Sequence, residues 1–349
     1  MPDEPRTEAF DYQLPEDLIA QEPLARRDES RLLVLRRDLP PGEGLEHRRF
    51  SDLPAYLKAG DCLVLNDTRV MAARLTGEKV PGGARAEVLL LGPSSRSHWR
   101  ALLRRRRRFP PGTELILAEG RLRARVVEFL PLGQALLEME APEEEVFSLM
   151  RSRGEVPLPP YVHRSLDDSE RYQTVYAAEE GSVAAPTAGL HFTPGLLQTI
   201  QELGVRVARV TLHVGPGTFQ PVRVERPREH RMHRESFRVP PEATELVNSS
   251  RAAGGRVVAA GTTVVRTLEA ASDREGRLRP GAGETDLFIY PGYRFRCVEV
   301  MITNFHLPRS TLLMLVSALA GRERIMAAYR EAIRESYRFY SFGDAMLIL

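Results

Sequence analysis

The sequence predicts a mixed α/β fold, a large mixed α/β domain with a small β-barrel inserted into it. Three observations lead there. Beyond residue 183, strand-like apolar runs alternate with helix-like patterns, the signature of α/β architecture. Between residues 75 and 155 the texture changes to short alternating runs separated by Gly/Pro turns, as in a small barrel. The length, 349 residues, suits about two domains and a large core without disulfide staples. The expected organisation is one discontinuous domain, residues 1–74 and 156–349, interrupted by an insert, residues 75–155.

Taken in order, residues 16–21 read as a short helix and 32–35 as an apolar strand. A second strand, 62–65, stops at the polar turn formers Asn66-Asp67-Thr68-Arg69. The barrel strands are expected at 86–91, 98–103, 114–117, 121–129 and 135–139, with turns such as Gly82-Gly83, Gly92-Pro93 and Pro110-Pro111-Gly112 between them. Pro142 at the first helical position, followed by Glu143, Glu144 and Glu145 at the positive dipole end, starts a helix running to about Arg153. The proline-rich stretch 156–161 is a stiff connection. Thr193 caps a helix that Pro194 opens and Gly204 ends. Strands follow at 205–213, 257–260 and 297–302, and a helix at 264–271. Ser310 or Thr311 caps the next helix. Residues 322–337 carry Ile325, Ala328, Tyr329, Ala332 and Ile333 at helical spacing, one core-facing stripe.

Composition narrows the function classes. There are 49 basic and 47 acidic residues, a net charge of +2. Only Lys58 and Lys79 are lysines, so 49 − 2 leaves 47 arginines; the guanidinium fork suits phosphate and carboxylate, yet a skew this complete across a chain more often records base composition or heat adaptation. The near-neutral balance lacks the signature of a strongly basic nucleic-acid domain, and any such binding rests on a local patch. Cys62 and Cys297 lie in apolar runs, as buried thiols of a reducing cytosol do. Residues 1–14 have no apolar core and do not read as a signal peptide. The longest apolar stretch, 312–320, is less than half of the ~20 residues a membrane span needs. A soluble, cytoplasmic protein that contacts no membrane is expected.

The chemistry is concentrated in polar loops next to strands. One is Ala185-Pro186-Thr187-Ala188-Gly189-Leu190-His191-Phe192. A second is His213-Val214-Gly215-Pro216-Gly217-Thr218-Phe219, and a third the turn Gly261-Thr262-Thr263. The fourth is Thr303-Asn304-Phe305-His306-Leu307-Pro308. In open α/β sheets ligands bind beyond the carboxyl ends of the strands, so convergence of these loops would make one pocket. The helix after Gly261 offers free N–H groups to an anion. His230-Arg231-Met232-His233-Arg234-Glu235, with His191, His213 and His306, could supply a zinc site. Against it, His230 and His233 are expected on opposite faces of a strand, and no cysteine cluster or metalloprotease spacing accompanies them. Arg104, Arg105, Arg106, Arg107 and Arg108 form a run in the insert, readable as a solvated turn or as a phosphate-tracking patch.

Several of these stretches, with others, resemble one family nearly end to end. They include Phe10-Asp11-Tyr12, Ser30-Arg31-Leu32-Leu33-Val34-Leu35, Leu65-Asn66-Asp67-Thr68-Arg69-Val70, Pro186-Thr187-Ala188-Gly189-Leu190-His191-Phe192-Thr193, His213-Val214-Gly215, Gly217-Thr218-Phe219, His230 with Met232-His233 and Glu235, Gly261-Thr262-Thr263, Phe288-Ile289-Tyr290-Pro291-Gly292, Thr303-Asn304-Phe305-His306-Leu307-Pro308 and Phe342-Gly343-Asp344-Ala345-Met346. The chain is similar to the S-adenosylmethionine:tRNA ribosyltransferase-isomerases of queuosine biosynthesis; the insert matches least well. Arg309 stands where the family leads one to expect lysine, which keeps the charge but not the geometry.

The resemblance implies a transferase and isomerase for tRNA modification, with S-adenosylmethionine as co-substrate and no metal. Its ribosyl group moves to the aminomethyl group of a 7-deazaguanine base in a tRNA anticodon. The product is epoxyqueuosine-tRNA, with adenine and methionine released. Such chemistry needs a proton donor near the departing purine, a base beside the sulfonium and a neutral amine. The candidate acid/base pool is His191, His213, His233 and His306. Glu235 and Glu269 are candidates for offsetting the sulfonium or positioning the amine. Thr187, Gly189, Gly215, Gly217, Thr218, Gly261, Thr262 and Thr263 are candidates for backbone approach to substrate, Arg266 for pairing with the methionine carboxylate, and Asn304 for reading a base edge. Arg104–Arg108 is the candidate tRNA contact. The expected assembly is a monomer. A metal-dependent hydrolase and a non-catalytic RNA-binding module are the competing classes.

Overall fold

The computed structural model describes residues 5–215, 217 and 222–349. Strands β1 (Arg31–Leu35), β2 (Leu45–Arg49) and β3 (Cys62–Asn66) come first. A short strand, β4 (Thr68–Val70), then pairs with the later β11 (Glu179–Ser182). Six strands follow: β5 (Arg74–Val80), β6 (Arg85–Pro93), β7 (His98–Leu103), β8 (Glu114–Leu117), β9 (Leu122–Phe129) and β10 (Ala135–Met139). They close into a barrel in the order β10-β7-β6-β5-β8-β9. The helix α1 (Glu143–Arg153) buries Val146, Leu149 and Met150 in the same cluster as Trp99, whose ring meets Phe147 edge-on at 5.1 Å. Pro142 is the N-cap of α1 rather than its first residue.

The rest of the chain supplies α2 (Pro194–Glu202), β12 (Arg206–Leu212), β13 (Glu235–Val239), α3 (Pro241–Ala252), β14 (Val257–Ala260) and α4 (Thr262–Ala271). β15 (Gly281–Thr285), β16 (Val300–Asn304), α5 (Thr311–Ala320), α6 (Arg322–Arg334) and β17 (Ala345–Ile348) complete it. Nine strands form one sheet in the order β15-β13-β12-β3-β14-β16-β17-β1-β2. Its centre, β12-β3-β14-β16, is parallel throughout.

Alternation along these strands makes two cores, because successive side chains face opposite sides of a sheet. Leu33, Val64, Ala259 and Met301 pack with Val247 of α3, Leu268 of α4, Leu313 of α5 and Ile325 of α6. Leu32, Leu63, Val258 and Ile302 pack with Leu196 and Ile200 of α2 and with Phe50 and Leu53. A strand buried on both faces reads as a continuous apolar run, which is why β3, β14 and β16 are visible in the sequence.

The chain divides into two compact units, one of Met1–Arg69, Pro159–Glu179 and Ala185–Leu349, the other of Val70–Leu158 and Glu180–Ala184. The barrel unit therefore takes in more than residues 75–155. Five residues return to it from far along the chain, and the Met71 N–H donates to Ser182 O at 2.9 Å, a pairing no local pattern announces. Three further expectations change. Residues 16–21 form only one 3-10 turn, Glu16–Leu18, between Pro15 and Pro23. The last helix stops at Arg334, and Tyr337 is buried beyond its end. Residues 230–234 are not a strand, so His230 and His233 do not face opposite sides of one.

Candidate active site

The four central parallel strands end together, and Asn66 ties the ends of β3 and β12 to the start of α4. Its Oδ1 accepts from the N–H of Leu212 at 3.0 Å and of Thr68 at 3.2 Å. Its Nδ2 donates to Leu212 O at 3.0 Å and Thr263 Oγ1 at 3.2 Å. One fully satisfied side chain thus fixes β3, β12 and the start of α4 relative to one another. Gly261, at φ +103°, makes the bend that opens α4, a conformation only glycine adopts without strain. No side chain caps α4, so its first N–H groups and positive dipole end remain available to an anion.

A small cavity of about 50 Å³ lies over these strand ends and opens outward through its mouth. Segments 185–188, 261–263 and 303–307 line it together with Val214, Leu312, Tyr161, Tyr340 and Ser341. The sequence candidates Thr187, Gly261, Thr262, Thr263, Asn304 and His306 all meet there.

His191 sits behind Asn304. Its ring is buried, stacks on Phe50 at 4.9 Å, and places Nδ1 2.7 Å from Ser30 Oγ and Nε2 3.2 Å from Asn304 Nδ2. Burial first, and then the positive charges of Arg27 and Arg338, push its pKa down to about 3. His306 is also pushed down to about 3 by burial; its Nε2 lies 2.7 Å from Thr303 Oγ1. Both are neutral at physiological pH, so neither enters a reaction as an imidazolium donor.

The other two histidines are only half-buried. His213 has Nδ1 2.8 Å from Thr68 Oγ1, and burial lowers its pKa against the opposing pull of Glu179 and Asp67. His233 is lowered by burial, opposed by Glu235. Neither is among the residues lining the cavity. Among the described residues no group of three or more His, Cys, Asp or Glu side chains is placed to hold a metal ion.

Glu235 and Arg266 are each other's ion-pair partners, buried together, and Glu235 Oε1 accepts from the Gly215 N–H at 2.8 Å. Glu269 accepts from Tyr293 OH at 3.1 Å and from the N–H groups of Arg296, Cys297 and Val298 at 2.9, 3.0 and 3.0 Å. Its carboxylate thereby holds the 293–298 loop. Two of the glycines also answer to their own protein. A Cβ on Gly217 would come within 2.3 Å of the His233 ring, and one on Gly189 within 2.2 Å of Tyr176 OH. Thr218 lies outside the described residues.

In the barrel unit, Arg104–Arg108 follows β7 as a turn. Arg104 pairs with Glu87 at 2.9 Å and Arg106 lies 5.0 Å over the Phe129 ring. Arg105, Arg107 and Arg108 are exposed, with no carboxylate partner among the described residues.

Sequence reasoning misses Tyr161, Tyr340 and Ser341, which reach the cavity from loops whose local pattern carries no signal. Tyr161 OH and Ser341 Oγ meet at 2.7 Å, closing one wall. Asn66 had a signal, its place at the end of a predicted strand.

Fold and cavity together define a class: an α/β protein with an inserted barrel and a cavity at the carboxyl ends of its parallel strands. Residues 7–348 match the family model described as queuosine biosynthesis protein, and the chain belongs to that family. It is 56% identical over 344 residues to the S-adenosylmethionine:tRNA ribosyltransferase-isomerase of Moorella thermoacetica, covering 99% of this chain and 100% of that protein. The enzyme of the same name from Pelotomaculum thermopropionicum is 54% identical, covering 97% and 98%. The crystal structure of S-adenosylmethionine tRNA ribosyltransferase from Thermotoga maritima superposes with a TM-score of 0.56 at 39% identity, covering 98% of this chain and 100% of that one.

Proposed function

We propose that this chain transfers and isomerises the ribosyl moiety of S-adenosylmethionine onto the 7-aminomethyl-7-deazaguanine base of a tRNA anticodon. The products are epoxyqueuosine-tRNA, adenine and methionine. The observation that carries this reading is a single cavity that joins an uncapped helix N-terminus, at Gly261-Thr262-Thr263, to a buried carboxamide, Asn304. The first suits the methionine carboxylate and the second a base edge. It is supported by the relatives, which bear this activity in their names along nearly their whole lengths.

Of the histidine pool, His213 and His233 are half-buried and held below the ordinary imidazole value by burial, so both are available as bases at neutral pH for any part of the substrate that extends beyond the cavity lining. His191 and His306 stay neutral and position their neighbours. The Glu235–Arg266 pair holds the loop that begins at His213, through Gly215. Arg105, Arg107 and Arg108 contact phosphates of the tRNA. The acting unit is a monomer in the cytoplasm, needing only S-adenosylmethionine and the modified tRNA.

The test is incubation of the full chain with S-adenosylmethionine and tRNA bearing the aminomethyl-deazaguanine base, followed by nucleoside mass spectrometry. Growth of the base by the ribosyl-derived unit, with one adenine released per event, is expected. No mass gain and no adenine would overturn the reading.

A further inference from the structure

Asn304 carries an unresolved demand at the heart of the cavity. The residue is only 2% exposed, and its Oδ1 is fully buried with no hydrogen-bond partner. Its orientation is nonetheless determined. Nδ2 donates to Tyr340 O at 3.1 Å and lies 3.2 Å from His191 Nε2. Behind the ring, His191 Nδ1 is 2.7 Å from Ser30 Oγ, and Ser30 Oγ donates onward to Arg27 O at 3.3 Å. Because the Ser30 hydrogen goes to a carbonyl, Ser30 must accept from Nδ1–H. Nε2 is then a bare acceptor, and only the NH₂ end of Asn304 satisfies it. A flipped amide would set Oδ1 against both the Nε2 lone pair and the Tyr340 carbonyl. The relay Arg27 O, Ser30, His191, Asn304 therefore leaves a lone, buried acceptor on a residue that lines the cavity.

We infer that Asn304 Oδ1 accepts a hydrogen bond from an N–H edge of a purine-type base in the cavity, and that His191 and Ser30 are positioning residues that hold the acceptor in place. This rests on the function proposed above and assigns His191 a role other than acid or base. An unpaired buried acceptor is costly in the empty protein, and a base with an N–H at that place removes the cost, whereas one lacking it leaves the penalty in the complex. The base is the adenine of S-adenosylmethionine or the deazaguanine of the tRNA; both present N–H groups on their edges.

The experiment first measures adenine release by the unaltered chain, which judges the proposed function independently. Calorimetric titrations then compare S-adenosylhomocysteine with its analogue lacking the 6-amino group, on the unaltered chain, Asn304→Ala and Ser30→Ala. A parallel arm measures KM for the modified tRNA. If adenine is the base, the unaltered chain prefers the amino compound by about tenfold and Asn304→Ala loses the preference. If deazaguanine is the base, titrations are alike but KM for tRNA rises about tenfold in Asn304→Ala. Ser30→Ala, which leaves Asn304 in place, should show a weaker form of the same defect, with KM moving more than kcat, rescue by Ser30→Thr, and a shift of the His191 ring ¹⁵N signals away from the Nδ1–H tautomer. An unaltered Nδ1–H signature in Ser30→Ala, or folded Asn304→Ala with both arms unchanged, would overturn the inference.

Discussion

Glu235 and Arg266 close on each other as an ion pair with each side chain only 4% exposed, Nη1 against Oε2. The first residue of β13 is thus tied to the middle of α4. Because Glu235 Oε1 also accepts from the Gly215 N–H, the pair fixes the loop that leaves β12. The two candidate residues thus brace the loop beside the site.

Burying two charges costs free energy that only mutual pairing offsets, so removing one partner is worse than removing both. Glu235→Ala should lower unfolding free energy by about 3–5 kcal/mol. Urea denaturation checks this. Glu235→Ala with Arg266→Met should cost less than Glu235→Ala alone. A single variant of unchanged stability would show that the pair does not hold the fold.

Glu269 accepts four hydrogen bonds from the 293–298 loop. Glutamine retains one acceptor oxygen and turns an NH₂ toward backbone N–H groups. Glu269→Gln is expected to cost roughly 3 kcal/mol, as lost charge-assisted hydrogen bonds do. At temperatures where the variant is folded, its KM for S-adenosylmethionine should match that of the unaltered chain. A selective rise in that KM at full stability would return Glu269 to the substrate.

The two buried histidines fix the sign of the acid response. His191 and His306 are held at about 3 in the fold, below the ordinary value near 6.5. Between those limits the unfolded chain binds more protons, so stability is complete above pH 6.5 and declines as the pH falls toward 3. Each histidine should account for about 2 kcal/mol of the loss at pH 5. Melting temperatures from pH 7 to 4.5 should fall steeply, and His191→Gln should flatten the curve. A slope unchanged by that substitution would mean the ring is protonated in the fold.

Much of this was legible because the relevant signals are local. β3, β14 and β16 are apolar runs, and each ends in a turn of polar or small residues, so the loops of the cavity follow from strand position. What stayed hidden depends on partners distant in the chain. β2 and β15 have no apolar alternation, and they join the sheet only because β1 and β13 offer them edges. Nothing near residue 235 says that its charge is spent on Arg266, and nothing near 269 announces three backbone N–H groups and a tyrosine hydroxyl from residues 293–298. The histidine pool divides by burial: His191 and His306 lie inside, His213 and His233 part-way out. Residue type alone is silent on that.

The arginine turn of the barrel gives the last prediction. Of its five guanidiniums, Arg104 is engaged by Glu87 and Arg106 by the Phe129 ring, leaving Arg105, Arg107 and Arg108 exposed. Three free cations that meet phosphates release counterions on binding, so affinity should depend on salt with a slope that loses roughly 2–3 when they are removed. Replacing Arg105, Arg107 and Arg108 by serine should therefore raise KM for tRNA at low salt, make its log–log salt dependence shallower, and leave KM for S-adenosylmethionine where it was. Arg104→Ser alone should do less, since that side chain already has a carboxylate to leave. If the triple variant kept both its tRNA KM and its salt slope, the turn would be solvated surface, and its arginines would belong with the composition of the chain as a whole.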